Sequence, residues 1–83
     1  MATDEELLKR ITMDPGIFGG KPTVRGMRIA VEHVLGKLAA GDTPESLLHE
    51  YPFLEAGDIQ ACLLFAAKSL ENETFLPLVT ESA

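Results

Sequence analysis

Ile11-Thr-Met-Asp-Pro-Gly-Ile-Phe-Gly-Gly-Lys-Pro-Thr-Val-Arg-Gly-Met-Arg-Ile29 holds four glycines and two prolines in nineteen residues, and its reading decides the fold. Pro15-Gly16 and Gly19-Gly20 are turn dipeptides. Arg25-Gly26, set between Thr23-Val24 and Met27-Arg28-Ile29, supplies a glycine for the positive φ that a tight hairpin demands. The stretch therefore reads as a compact β-ribbon whose strands carry cationic side chains.

Downstream of the ribbon the apolar period lengthens from 2 to 3.6. Val31, Val34, Leu35 and Leu38 fall at i, i+3, i+4 and i+7, which predicts a helix from about residue 30 to residue 40, closed by Gly41. Thr43 as N-cap, Pro44 at the first helical position and Glu45 near the dipole's positive end start a second helix, with Leu47, Leu48 and Tyr51 inward and Pro52 ending it. A third helix spans about residues 55–70, with Ile59, Cys62, Leu63, Ala66 and Leu70 on its core face and Leu64 and Phe65 turned away. The expected fold is mainly α: an N-terminal β-ribbon followed by a three-helix bundle of helix-turn-helix, homeodomain-like plan. Residues 1–72 form one domain, and 73–83 are a tail.

A chain of 83 residues buries a modest core, and small folds of this kind often gain stability by association. A homodimer is expected, built on Val24 of the ribbon and on Leu64 and Phe65. The alternative is that another part of the same chain covers the outer face of the third helix. The lone Cys62 excludes an internal disulfide and a multi-cysteine zinc site, and its apolar neighbours mark it as a small core residue. No basic leader and no membrane-length apolar run is present, so a cytoplasmic protein is expected.

The net charge of −6 argues against a polyanionic partner, yet it is unevenly spread. Residues 9–37 carry six bases against two acids, whereas from residue 38 onward there are eight acids and one base. Screening confines each block to about a Debye length of 8 Å, so a basic contact surface on an acidic body is physically allowed. The third helix opens Glu55-Ala-Gly-Asp-Ile-Gln60, with one suitable base reader, Gln60, beside two acids. DNA contact, if made, falls to Lys21, Arg25 and Arg28 on the ribbon, with Gln60 second. An ordinary solvated surface is the competing reading.

Ile11-Thr-x-Asp-Pro-Gly-Ile-x-Gly-Gly-Lys-Pro-x-Val-x-Gly-x-Arg-Ile29, then Leu38-Ala-Ala-Gly-Asp-Thr-Pro-Glu45, Tyr51-Pro-x-Leu54 and Asp58-Ile59, resembles the bacterial family called domain of unknown function 433. The resemblance runs from about residue 11 to residue 70. It implies a ribbon-plus-helix-turn-helix protein, similar to antitoxins encoded beside PIN-like nuclease toxins, that binds and silences such a toxin and represses its own operon. Met27 and Ala30 depart from the family's usual Thr and Pro, and Glu55 stands where a Ser or Thr would cap the third helix. The last departure predicts a frayed helix start.

Catalysis finds no support. Gly16-Ile-Phe-Gly-Gly-Lys-Pro22 has the wrong glycine spacing for a phosphate loop, and Pro22 replaces the magnesium-binding hydroxyl. His33 and His49 lie on different helices without a Cys or paired carboxylate at ligand spacing, and Ser46 with His49 lacks a third member. No metal, cofactor or small-molecule substrate is expected. Phe75, Leu76, Leu78 and Val79 follow the last helix in a segment too short to bury them alone. They read as a toxin-binding segment, against the alternative of a tail folded on its own domain. Two functions remain open: an antitoxin-like regulator, or a homodimeric protein-interaction module without a nucleic-acid role.

Overall fold

The computed structural model describes residues 2–71, and all structural statements concern these. The chain is mainly helical with an N-terminal antiparallel two-strand ribbon: α1 (Asp4–Leu8), β1 (Ile11–Met13), a 3-10 turn (Phe18–Gly20), β2 (Pro22–Val24), α2 (Val31–Ala39), α3 (Pro44–Glu50) and α4 (Ala56–Glu71).

α1 is an element the apolar period does not announce. Thr3 accepts from the Glu6 amide while the Glu6 side chain accepts from the Thr3 amide, a complete capping box with three acids in the first turn. Five residues are too few to hold a helix in water, so its stability comes from packing against α4.

The ribbon pairs β1 with β2 in the register Ile11 to Val24, Thr12 to Thr23 and Met13 to Pro22. Its strands are thus not the two flanks of Arg25-Gly26, as the sequence suggests. That dipeptide does form a tight turn: Arg25 and Gly26 have φ of 47° and 70°, and the Met27 amide donates to the Val24 carbonyl at 2.8 Å. The far side of the turn contributes only an isolated bridge from Ala30 to Thr23 before α2 begins. Buried Thr23 keeps its hydroxyl satisfied against Thr12, oxygen to oxygen at 3.1 Å.

The helix boundaries at α2 and α3 follow local chemistry. Gly41, at φ 109°, lets the Asp42 amide donate to Lys37 and the Gly41 amide to Leu38, which closes α2 in a Schellman arrangement. Thr43 then caps the Ser46 amide, Pro44 takes the first helical position, and α3 ends at Tyr51. Val24, Ile29, Val31, Val34, Leu47, Leu54, Ile59 and Cys62 make one contiguous core.

α4 sits differently from expectation. Leu63 and Leu70 are 50% and 65% exposed, while Asp58, Ile59, Ala61 and Cys62 are buried and Leu64 and Phe65 half-buried. The buried face is turned by roughly a quarter of the helix from the one an apolar period selects. Two observations explain it. A charged residue, Asp58, belongs to the core face, and α1 packs along α4, where Leu8 and Ile11 lie beside Phe65. Val24, expected at a subunit interface, is fully buried within the monomer and has no surface to offer a second copy.

Candidate interaction surface

Two arginines three residues apart on the ribbon meet opposite fates. Arg25 turns inward to Asp58, whose side chain is 0% exposed. Its Nε donates to Oδ1 at 2.9 Å, and its Nη2 donates to Oδ2 at 2.8 Å and to the Phe53 carbonyl at 2.9 Å. Arg10 Nη1 donates to Asp58 Oδ1 at 2.9 Å and to Glu55 Oε1 at 2.7 Å. The Glu55 amide completes the shell, donating to Oδ2 at 2.8 Å. Two cations thus face two carboxylates, and the arginine bonds tie the residue before β1 and the Arg25 turn to the start of α4.

Burial alone would push the Asp58 carboxyl up; the hydrogen bonds from Arg25, the Glu55 amide and Arg10 outweigh it and hold the group below its ordinary value. Glu55 and Asp58 in turn raise the Arg10 guanidinium. The same carboxylate caps the first turn of α4 from the third helical position, so the helix start has a side-chain cap although no Ser or Thr precedes it. A Cβ on Gly57 would lie 2.8 Å from Arg10 Cζ, which accounts for a glycine inside a helical turn.

Arg28 faces the other way. Among the described residues it makes no ion pair or hydrogen bond. It lines a cleft of about 230 Å³ with Phe18, Ile29, His33, Tyr51 and Phe53. The cleft wall is pre-organised: His33 Nε2 and the Tyr51 hydroxyl are 2.9 Å apart, and Tyr51 stacks edge-on against both His33 and Phe53, with centroids 5.9 Å apart in each pair. Phe18 and Phe53 are 46% and 50% exposed. Phe18 also has φ 51°, a left-handed backbone that bulky side chains avoid, so strain is retained at an exposed aromatic.

The remaining sequence-derived candidates are scattered. Lys21 reaches Glu32 at 3.3 Å beside this cleft, and Gln60 is exposed on α4. Arg25 is committed to the Asp58 cluster, so Lys21, Arg25 and Arg28 do not present one cationic stripe. Phe75, Leu76, Leu78 and Val79 lie outside the described residues. Cys62 is buried, and desolvation, with Asp58 nearby, pushes its thiol up to about 11, so it stays protonated and unreactive at neutral pH. His33 and His49 are exposed, no group of His, Cys, Asp and Glu among the described residues is arranged to hold a metal, and no described helix is long and apolar enough to cross a membrane.

Phe18 and Phe53, which the sequence did not single out, wall the cleft together with Tyr51, which it read as an inward residue of the second helix. The Phe18-Gly19-Gly20 triplet was the available signal, since consecutive glycines beside an aromatic mark a backbone that leaves the ordinary regions.

Comparison with known proteins places this arrangement. A crystal structure of a DUF433 member protein from Anabaena variabilis superposes with a TM-score of 0.71 at 30% identity, covering 81% of this chain and 66% of that one. The uncharacterized protein y4eO of Sinorhizobium fredii is 39% identical over 56 residues, which are 68% of this chain but 25% of the relative, so the chain spans a quarter of that protein's length. The family profile described as "Protein of unknown function (DUF433)" matches residues 11–66, a segment that includes the ribbon, the Arg25 turn, the Arg28 cleft and most of α4. The chain belongs to the DUF433 family.

Proposed function

We propose that this protein is a non-catalytic partner-binding module of antitoxin type, which binds and neutralises a PIN-like nuclease. The observation that carries the reading is the pair of exposed aromatics, Phe18 and Phe53, flanking an Arg28 that has no counter-charge among the described residues, on a pre-organised wall. Aromatic and arginine anchors in a concave setting are the composition of interface hot spots. The family resemblance supplies the nuclease as partner, and the tail residues Phe75, Leu76, Leu78 and Val79 are proposed to extend the contact.

On this reading α2, α3 and α4 follow a helix-turn-helix-like order, and operator binding is a secondary activity. Of its cationic candidates Arg25 is occupied by Asp58 and Lys21 is paired with Glu32, which leaves Arg28, with Gln60 as base reader. Homodimerisation has a separate observation in its favour: Leu63 and Leu70 are exposed on α4, and Leu70 borders an apolar groove with Pro22, Leu35, Phe65 and Ala66.

Co-expression of the chain with a PIN-like nuclease whose gene adjoins its own tests the reading. The expected result is a stable complex recovered on a tag carried by either protein, with suppressed nuclease activity. A nuclease that stays unbound and fully active would contradict it.

A further inference from the structure

We infer that the Arg28 cleft receives a peptide segment that presents a bulky apolar side chain next to a carboxylate. This inference rests on the partner-binding reading above and specifies the chemistry of the segment bound. Three observations converge on it. The cleft is walled by Phe18, Ile29, Tyr51 and Phe53, which suits one apolar anchor. Arg28 stands at that wall without a counter-charge among the described residues, whereas the neighbouring Lys21 is already matched by Glu32. Phe18 is held exposed at φ 51°, a conformation a glycine would adopt without strain, so the fold retains an aromatic there against its backbone preference.

Charge decides between a peptide and a nucleic acid. A strand of phosphates needs several cations in a row, but among the described residues this face offers one uncompensated guanidinium, Lys21 being paired with Glu32, on a chain of net charge −6. One carboxylate satisfies Arg28 with paired N–H donors, and the net negative charge of the chain disfavours a polyanion. The aromatic ring or aliphatic chain beside the carboxylate then fills the space between Phe18 and Phe53.

The test is an NMR titration of the full-length, isotope-labelled chain with two end-blocked tetrapeptides, Ala-Phe-Asp-Ala and Ala-Phe-Asn-Ala, and with an eight-nucleotide oligothymidine. Amide shifts are expected at residues 17–19, 28–33 and 51–53, with the Asp peptide binding about tenfold more tightly than the Asn peptide, as loss of a charge-assisted bond implies. In Arg28→Gln, which removes an exposed side chain with no ion pair or hydrogen bond among the described residues, the two peptides should bind equally. Phe18→Gly should weaken both alike. Equal affinity of the two peptides for the unsubstituted chain, shifts located elsewhere, or a response at these amides to oligothymidine alone would overturn the inference. Capture of the nuclease by Arg28→Gln as efficient as by the unsubstituted chain would also overturn it while leaving the partner reading standing; peptide discrimination without nuclease capture would overturn the partner reading and leave the cleft assignment standing.

Discussion

Arg25 and Arg28 leave the same tight turn, yet one is structural and the other is surface. Arg25 is bonded to Asp58 through Nε and Nη2 and to the Phe53 carbonyl, and its backbone amide donates to the Arg10 carbonyl at 2.7 Å. Arg28 lies among aromatics with nothing to neutralise it in the described residues. A basic cluster in a sequence is therefore no measure of a basic surface. What separates the two roles is whether an acid elsewhere in the chain is buried opposite the cation, and here that acid lies 33 residues away from Arg25 on α4.

The largest expected effect breaks the structural side of this contrast. Asp58→Ala removes the hub and leaves Arg10 and Arg25 facing each other, so urea unfolding should show a loss of about 3 kcal/mol or more. An unaffected midpoint would mean that the cluster contributes nothing to stability.

Acid should act through the same group. The Asp58 carboxyl lies below its ordinary value of 3.8 in the folded chain, so its contribution is fully present above that value and is lost as pH falls through it towards the folded pKa. Thermal unfolding of the parent chain should therefore weaken steeply below about pH 4, and Asp58→Asn should flatten that slope.

A smaller effect sharpens the comparison. Gly57→Ala gains helix propensity, up to about 1 kcal/mol, but displaces the Arg10 guanidinium from Asp58. The two should roughly cancel in the parent chain, whereas in an Arg10→Ala background the same substitution should stabilise. Additive effects across this double-mutant cycle would show that Arg10 does not occupy the space above Gly57.

On the recognition side the expected change in stability is smallest. Phe18→Gly relieves a left-handed backbone at a residue 46% exposed, so its melting temperature should be unchanged or higher, equivalent to at most about 1 kcal/mol. A clear drop would assign Phe18 to the fold's own packing.

Local chemistry made part of this molecule readable from its sequence. Gly41, Thr43 and Pro44 carry their boundary signals within one turn of chain, so α2 and α3 fall where the sequence puts them. Thr3 and Glu6 spell a capping box as well, but no apolar period follows them to mark a helix. The face of α4 was not legible, because an apolar period scores Asp58 as solvent-facing, and only partners 33 and 48 residues distant make it a core residue. The same distance hid the commitment of Arg25. Phe18 escaped notice because its position depends on a positive φ that its residue type does not advertise.

The division of labour between the two arginines is tested most directly by urea denaturation of Arg25→Gln and Arg28→Gln side by side. Arg25→Gln should lose about 2 kcal/mol, a figure reduced from that of a fully buried pair because its side chain is 35% exposed, while Arg28→Gln should stay within about 0.5 kcal/mol of the parent. Equal stability losses, or a larger loss at Arg28, would contradict the account.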